Sequence, residues 1–283
     1  MDLDGDSLVV GGTTTVHHMD RASLQPAAQS DVHFFCRSEH VALWDAIGKS
    51  SCFVEGPPGS GKSTAVWLWL LQQVRKGQRA LWFHHDKTGG WKGVIVERGT
   101  DDKPTIFRSL GRVPFATKHE DVGAIDVCVV DGVTSSTLET VHSSWRVAFG
   151  DELTDEQCHM IWVSSQQIVL PMEQLRASGM AKFSFVSWTK EEVHQFAQGF
   201  STELKEEFQS DVIATKRSDR NEWDPAIDFD QAVKIKMYYC GCSARWMFGL
   251  NMRSALEDID QYLVKVNDAK LVQNGLQGSR SEG

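Results

Sequence analysis

The sequence predicts an α/β fold, a parallel sheet flanked by helices with a helical lid at its C-terminal side. Three observations carry this expectation. A glycine-rich octapeptide, Gly56-Pro57-Pro58-Gly59-Ser60-Gly61-Lys62-Ser63, stands between a short apolar run and a helix-like stretch. As far as Trp188, apolar runs alternate with helix-like stretches. Beyond Trp188 the helix-like segments follow one another without strands between them.

Residues 1–30 are rich in Gly, Ser and Thr with little periodicity, and read as a poorly ordered N-terminal segment. Residues 31–188 form the expected α/β core. Within it, residues 38–48 read as a short helix stopped by Gly48. Ser51–Val54 is the first strand, feeding the octapeptide and the helix Thr64–Val74, with Gly77 as its stop signal. Ala80–His84 is a second strand. Gly93–Glu97 and Thr105–Phe107 read as a hairpin around the turn residues 99–104. Ile125–Val130 is almost wholly apolar, as a parallel strand buried on both faces must be. A helix-like stretch, Ser136–Phe149, separates it from a similar run, His159–Val163, and Lys182–Val186 is the last strand of this half. The lid, 189–270, opens with Thr189 as N-cap before Lys190-Glu191-Glu192 and holds helices near 190–209, 229–238 and 244–265. The tail, 271–283, is polar and reads as flexible.

The octapeptide fits the phosphate-binding pattern G-x-x-x-x-G-K-S/T, and its strand–loop–helix setting gives the pattern a mechanism. Glycines let the backbone curl so that successive N–H groups face phosphate oxygens, and the helix N-terminus adds its positive dipole end. Residues Gly56, Pro57, Pro58, Gly59, Ser60, Gly61, Lys62, Ser63 and Thr64 are therefore the expected nucleotide-binding set of a P-loop NTPase. Lys62 would reach the β- and γ-phosphates, and the Ser63 hydroxyl would bind Mg²⁺. The second metal-positioning group is Asp131, straight after the run Ile125–Val130. The next residue is Gly132, where many P-loop ATPases carry an acid that orients the attacking water. Glu55, Asp86 and Glu139 are the substitutes the sequence offers. After the run His159–Val163, Ser165 is favoured narrowly over Ser164 to face the γ-phosphate. In the lid, Ser243 would cap the last helix and Arg245, in its first turn, would swing onto the nucleotide; a cation there opposes the helix dipole, which argues for a functional reason.

Bulk composition sets the outer limits. The 283 residues suffice for one large α/β domain and a smaller appendage, and 41% hydrophobic with 24% charged residues describes an ordinary globular protein. With 29 basic against 38 acidic residues the formal net charge is −9, which argues against a chain-wide nucleic-acid footprint. Lys216, Arg217 and Arg220 make the one modest basic patch, and read as solvated loop. The 6 cysteines show no zinc-like spacing, and a reduced, intracellular setting is the natural reading, with a disulfide left open. No signal peptide is visible at Met1–Asp6, and the longest apolar stretch, Ala65–Leu71, is too short to cross a bilayer. The 10 tryptophans are scattered and read as core.

These pieces together resemble the P-loop NTPase module of the Crinkler effectors of oomycetes and the related retrotransposon hot spot proteins of trypanosomes. The resemblance rests on Phe53-Val54-Glu55 leading into the octapeptide, Trp67-Leu68-Trp69, Val129-Val130-Asp131-Gly132-Val133 and Ser187-Trp188-Thr189-Lys190-Glu191-Glu192. Above all it rests on Gly241-Cys242-Ser243-Ala244-Arg245-Trp246-Met247-Phe248, which is similar to the family's Gly-Gly-Ser-Ala-Arg-aromatic-Met-Phe signature with Cys242 for the second glycine. It covers the chain from about residue 30 onward. It implies an architecture similar to AAA+ and STAND signalling ATPases, with Ser165 as sensor 1 and Arg245 as sensor 2. It also implies a secreted protein acting in the host nucleus, a host protein as partner, and often a nuclease region beyond the NTPase. The family's Leu-Phe-Leu-Ala-Lys translocation segment is missing and the chain stops soon after the lid, departures that weigh against secretion and nuclease activity here and leave open an isolated module or a truncated or degenerate member.

The leading expectation is thus an Mg²⁺-dependent ATPase that binds ATP or ADP and whose hydrolysis resets the lid. The runner-up is a nucleotide-dependent binding switch with slow or no turnover, motivated by Gly132. A small-molecule kinase is a third reading, against which the helical segment after Trp188 argues. Arg146 and Arg176 are conceivable trans-acting arginines if the protein assembles; base identity, nucleic-acid contact and oligomeric state are not legible.

Overall fold

Strand β3 (Cys52–Glu55) and the helix that follows it, α2 (Lys62–Arg75), are the axis on which the first half of the molecule is built. The computed structural model describes residues 13–20, 25–85, 91–99, 105–112, 125–134, 137, 158–164, 179–215 and 227–266. The chain divides into two compact units, 1–187 and 188–283, a division that falls where the sequence texture changes.

The first unit is α/β, with a mostly parallel mixed sheet flanked by helices. To β3 it adds β4 (Ala80–His85), β5 (Trp91–Arg98), β6 (Thr105–Arg112), β7 (Val127–Asp131), β8 (His159–Val163) and β9 (Ala181–Ser184). The order across the sheet is β6-β5-β4-β7-β8-β3-β9. From β4 to β9 every neighbouring pair is parallel, whereas β5 and β6 join as antiparallel strands, the hairpin read from the sequence. β3 and β7 are buried along their whole length, which is why they read as unbroken apolar runs. β9 is an edge strand and is largely exposed; Lys182 there pairs with Glu55, a charge on an edge that discourages further pairing.

Helix α1 (Ser38–Ile47), ended by Gly48, and α2 close the core. Trp44 Nε1 donates to the Ala65 carbonyl at 2.9 Å and so ties α1 to α2. Trp67 meets Trp82 of β4 edge-on at 5.2 Å, within an apolar cluster that includes Val54, Leu70, Val129 and Ile161. The stretch 1–30 that composition reads as poorly ordered contains β1 (Thr13–Asp20), which pairs antiparallel with β2 (Gln25–Phe35) as a separate two-stranded sheet that runs past residue 30. The β-branched run Thr13-Thr14-Thr15-Val16 favours that conformation. The expected helix Ser136–Phe149 lies outside the described residues, apart from Thr137.

The second unit, taken by itself, is helical among the described residues: α3 (Lys190–Gln198), α4 (Thr202–Ala214), α5 (Phe229–Cys240), α6 (Ala244–Phe248) and α7 (Met252–Val266). Two helices expected as continuous are each broken. Ser201 recaps the chain after Gly199, its hydroxyl accepting from Leu204 N–H, so 190–209 becomes α3 and α4. Gly249 ends α6, and Asn251 restarts the chain by accepting the N–H of Ser254. Thr189 is the N-cap expected of it: its hydroxyl accepts from Glu192 N–H at 3.1 Å, and the Glu192 carboxylate accepts from Thr189 N–H at 2.8 Å. Phe196, Phe200, Phe208, Phe229 and Phe248 form an aromatic core, with Phe196 and Phe248 edge-on at 4.8 Å. All 6 cysteines are free thiols. Among the described residues no helix is long and apolar enough to cross a membrane.

Candidate nucleotide site

The C-terminal ends of parallel strands are where open α/β sheets hold ligands, because the loops leaving them converge there. In this chain those ends are Glu55, His84, Asp131, Ser164 and Ser184. The loop leaving β3 is the octapeptide, and Gly56, Gly59 and Gly61 all have positive φ, at 151°, 75° and 99°. A Cβ on Gly56 would stand 2.3 Å from the Phe185 carbonyl oxygen, so the loop can pass β9 only as glycine. Gly61 is the N-cap of α2 and accepts from Ala65 N–H at 2.9 Å.

Lys62, at the first position of α2, is 4% exposed. Its ammonium donates to the carbonyls of Gly56 at 2.8 Å and Pro57 at 2.7 Å and to Ser60 Oγ at 3.3 Å. A buried cation at the positive end of a helix opposes both desolvation and the dipole, an arrangement suited to an anion held at the same loop. Ser63, one residue on, donates from Oγ to Asp131 Oδ1 at 2.9 Å. Strand β8 lies between β3, which leads into α2, and β7, which ends at Asp131, so α2 carries the Ser63 hydroxyl across to a strand two places from its own. Asp131 itself is 5% exposed. A hydroxyl and a carboxylate are hard oxygen donors, the set that fits Mg²⁺, which keeps most of its ligands as water and substrate oxygens. Among the described residues no cluster of three or more His, Cys, Asp or Glu offers an all-protein metal cage.

The sheet adds a residue that the motif does not contain. Parallel register sets His84 of β4 beside Asp131, and His84 Nδ1 lies 3.0 Å from Asp131 Oδ2. The signal was present as a polar residue ending the apolar run Ala80–Phe83, but the partner strand is a tertiary fact. Beneath the loop lie two further buried polar residues. The Arg37 guanidinium donates to the carbonyls of Ser60 at 3.2 Å, Val186 at 3.2 Å and Ser187 at 2.9 Å, and sits over the Phe185 ring. His40 Nδ1 accepts from Arg37 N–H at 3.1 Å, which leaves the ring proton on Nε2, 3.4 Å from where a Gly61 Cβ would stand. Burial, reinforced by the Arg37 charge, pushes the His40 pKa down to about 3, so the ring is neutral.

Other expected residues fall differently. Glu55 is turned toward β9, paired with Lys182 Nζ at 2.9 Å and accepting from Ser184 Oγ at 3.0 Å, so its carboxylate is committed there rather than to water. Ser164 is fully buried, and its Oγ donates to the Val133 carbonyl at 2.7 Å. Ser165, Asp86, Glu139, Arg146 and Arg176 lie outside the described residues, as does the basic patch at 216–220. Gly132 has φ 93°, and a Cβ there would meet His85 Cβ at 3.1 Å and the His85 carbonyl oxygen at 3.2 Å. A side chain at position 132 would therefore meet a strained backbone and a tight contact with His85.

Arg245 is exposed on α6 of the second unit. The helix has only 5 residues, so its first and last turns coincide and the expected dipole penalty on Arg245 vanishes. Ser243 stands at the N-cap position, but its side chain makes no capping hydrogen bond.

No protein-family model matches the chain, and no curated protein is significantly similar to it.

Proposed function

We propose that the first unit is a P-loop NTPase core that binds ATP or ADP with Mg²⁺ and hydrolyses ATP. The observation that carries this reading is the Ser63–Asp131 hydrogen bond of 2.9 Å, which joins a motif hydroxyl to a strand-end carboxylate 68 residues away. Lys62 would exchange the carbonyls of Gly56 and Pro57 for phosphate oxygens, with the N–H groups of the loop and the α2 N-terminus sharing the negative charge. When bound, Mg²⁺ neutralises charge on the phosphate oxygens, and Ser63 and Asp131 are the groups that would hold it. Ser165 and Arg245 keep their proposed roles as sensors of the γ-phosphate, Arg245 from a helical lid formed by the second unit. The resemblance to the Crinkler NTPase module extends the proposal to a signalling ATPase acting on a host protein in the host nucleus.

The test is nucleotide titration with hydrolysis measured in parallel on wild type, Lys62→Ala and Asp131→Asn. Wild type binds and turns over ATP. Lys62→Ala weakens binding, and Asp131→Asn lowers turnover by roughly 100-fold, the scale of removing a preorganised charge-stabilising group. Unchanged activity in both variants overturns the assignment.

A second reading, a slow nucleotide-dependent switch, draws on Gly132 and Glu55. Position 132 carries no acid and would strain one, and the Glu55 carboxylate is engaged by Lys182 and Ser184. Tight binding with turnover at background selects the switch; rapid multiple turnover excludes it.

A further inference from the structure

We infer that His84 is a positioning residue of the metal site, holding Asp131 so that one carboxylate oxygen is reserved for Ser63 and the cation. The inference rests on the nucleotide reading above and deepens it. Asp131 presents two oxygens to two different partners: Oδ1 to the Ser63 hydroxyl at 2.9 Å, and Oδ2 to His84 Nδ1 at 3.0 Å. A carboxylate only accepts, so Nδ1 is the donating nitrogen and the tautomer is set by this contact. The register His84↔Asp131 fixes the two backbones side by side, and the Asp131 side chain is 7% exposed, so the carboxylate is nearly buried and held from both ends. A strand alternates its side chains between faces. His85 accordingly turns the other way and stacks edge-on against Trp91 at 4.8 Å, leaving His84 as the histidine of the pair that meets Asp131.

Oxygen donors alone leave a monodentate carboxylate free to rotate, and Mg²⁺ tolerates little departure from octahedral geometry. A ring nitrogen locked onto Oδ2 stops that rotation. Groups that orient a metal-holding residue in this way typically change metal affinity about 10- to 100-fold when removed.

The experiment uses the full chain, with Mn²⁺ as a paramagnetic probe and ADP as the nucleotide, and reads metal uptake by electron paramagnetic resonance alongside ADP affinity in chelator. His84→Ala weakens Mn²⁺ uptake in the presence of ADP by roughly 10- to 100-fold while ADP affinity without metal is retained. His84→Asn, whose amide nitrogen occupies the place of Nδ1, restores uptake to near wild type. His84→Gln, whose amide reaches only the place of Nε2, does not. Equal Mn²⁺ uptake in wild type and His84→Ala overturns the inference, as does a His84→Asn variant no better than His84→Ala with an unchanged circular dichroism spectrum. A nitrogen bound directly to Mn²⁺ in the spin-echo spectrum of wild type also overturns it, in favour of His84 as a ligand. Wild type that takes up neither ADP nor Mn²⁺ refutes the nucleotide reading itself, a result separable from all of these.

Discussion

A single histidine shows how the environment of a side chain becomes a property of the protein. His40 is 1% exposed, stacked on Phe34 at 4.8 Å and on Phe185 at 5.5 Å, and its pKa lies at about 3 rather than 6.5. Because the folded pKa is depressed, the unfolded chain takes up the proton first as pH falls. The stability that neutral His40 contributes is complete above pH 6.5 and is lost progressively toward pH 3. Within that window the loss is about 1.4 kcal/mol per pH unit. Urea midpoints measured between pH 7 and pH 4 therefore fall more steeply for wild type than for His40→Phe. Gly56 makes the complementary point about space. Gly56→Ala drives a methyl group into the Phe185 carbonyl and forces the loop away from β9. Its expected signature is loss of nucleotide binding at a cost in stability of a few kcal/mol, about the scale of backbone strain plus a displaced loop.

At the scale of elements, α2 owes its place to burial rather than propensity. Leu68 and Leu70 are fully buried, and Leu68 packs on Phe34 and Cys36. Leu68→Ala should cost about 2–5 kcal/mol by lost transfer energy and the cavity it leaves, measured by chemical denaturation. Such a loss also loosens the helix whose first turn holds Lys62 and Ser63. In the helical unit, Asp211 links three elements. Its Oδ2 accepts from Met252 N–H at 2.7 Å and from Lys236 Nζ at 3.4 Å, while Lys236 also donates to the Leu250 carbonyl at 2.7 Å and lies over Phe208. Asp211→Ala leaves the Lys236 ammonium without its counter-charge and is expected to cost about 2 kcal/mol. Lys236→Met on top of it should recover part of that loss, since an apolar side chain of similar size needs no partner. A double-mutant cycle followed by helical circular dichroism checks both.

For the whole molecule, division into two units gives the lid proposal a thermodynamic form. Each unit has its own apolar core, so their unfolding can be followed separately. A nucleotide at about 100 times its Kd stabilises whatever it touches by about 2.7 kcal/mol. If Arg245 engages the nucleotide, both transitions rise together. Arg245→Ala then confines the rise to the first unit, and Lys62→Ala abolishes it. A rise limited to the first unit in wild type removes Arg245 from the site. The net charge of −9 adds a second expectation, that duplex DNA binds only at low salt.

The sequence by itself determined whatever follows from local pattern. The glycine loop, its strand and its helix, the buried runs of β7 and β8, the hairpin of β5 and β6 and the Thr189 capping box all depend on residues near one another in the chain. Ser63 and Asp131 were also legible, since a motif hydroxyl and an acid ending an apolar run are each local signals. Where helices break, local signals were weaker: Gly199 and Gly249 lie inside otherwise continuous helical periodicity. Only the tertiary structure decided the rest, because strand order and register bring together residues that no spacing links. That β8 separates β3 from β7, that His84 faces Asp131, that Arg37 holds the loop to the segment following β9, and that Glu55 is spent on Lys182 are consequences of which strand lies beside which. Gly132 belongs to both levels. Its identity was visible in the sequence, but the closeness of His85, which crowds any side chain at that position, exists only once the sheet has formed.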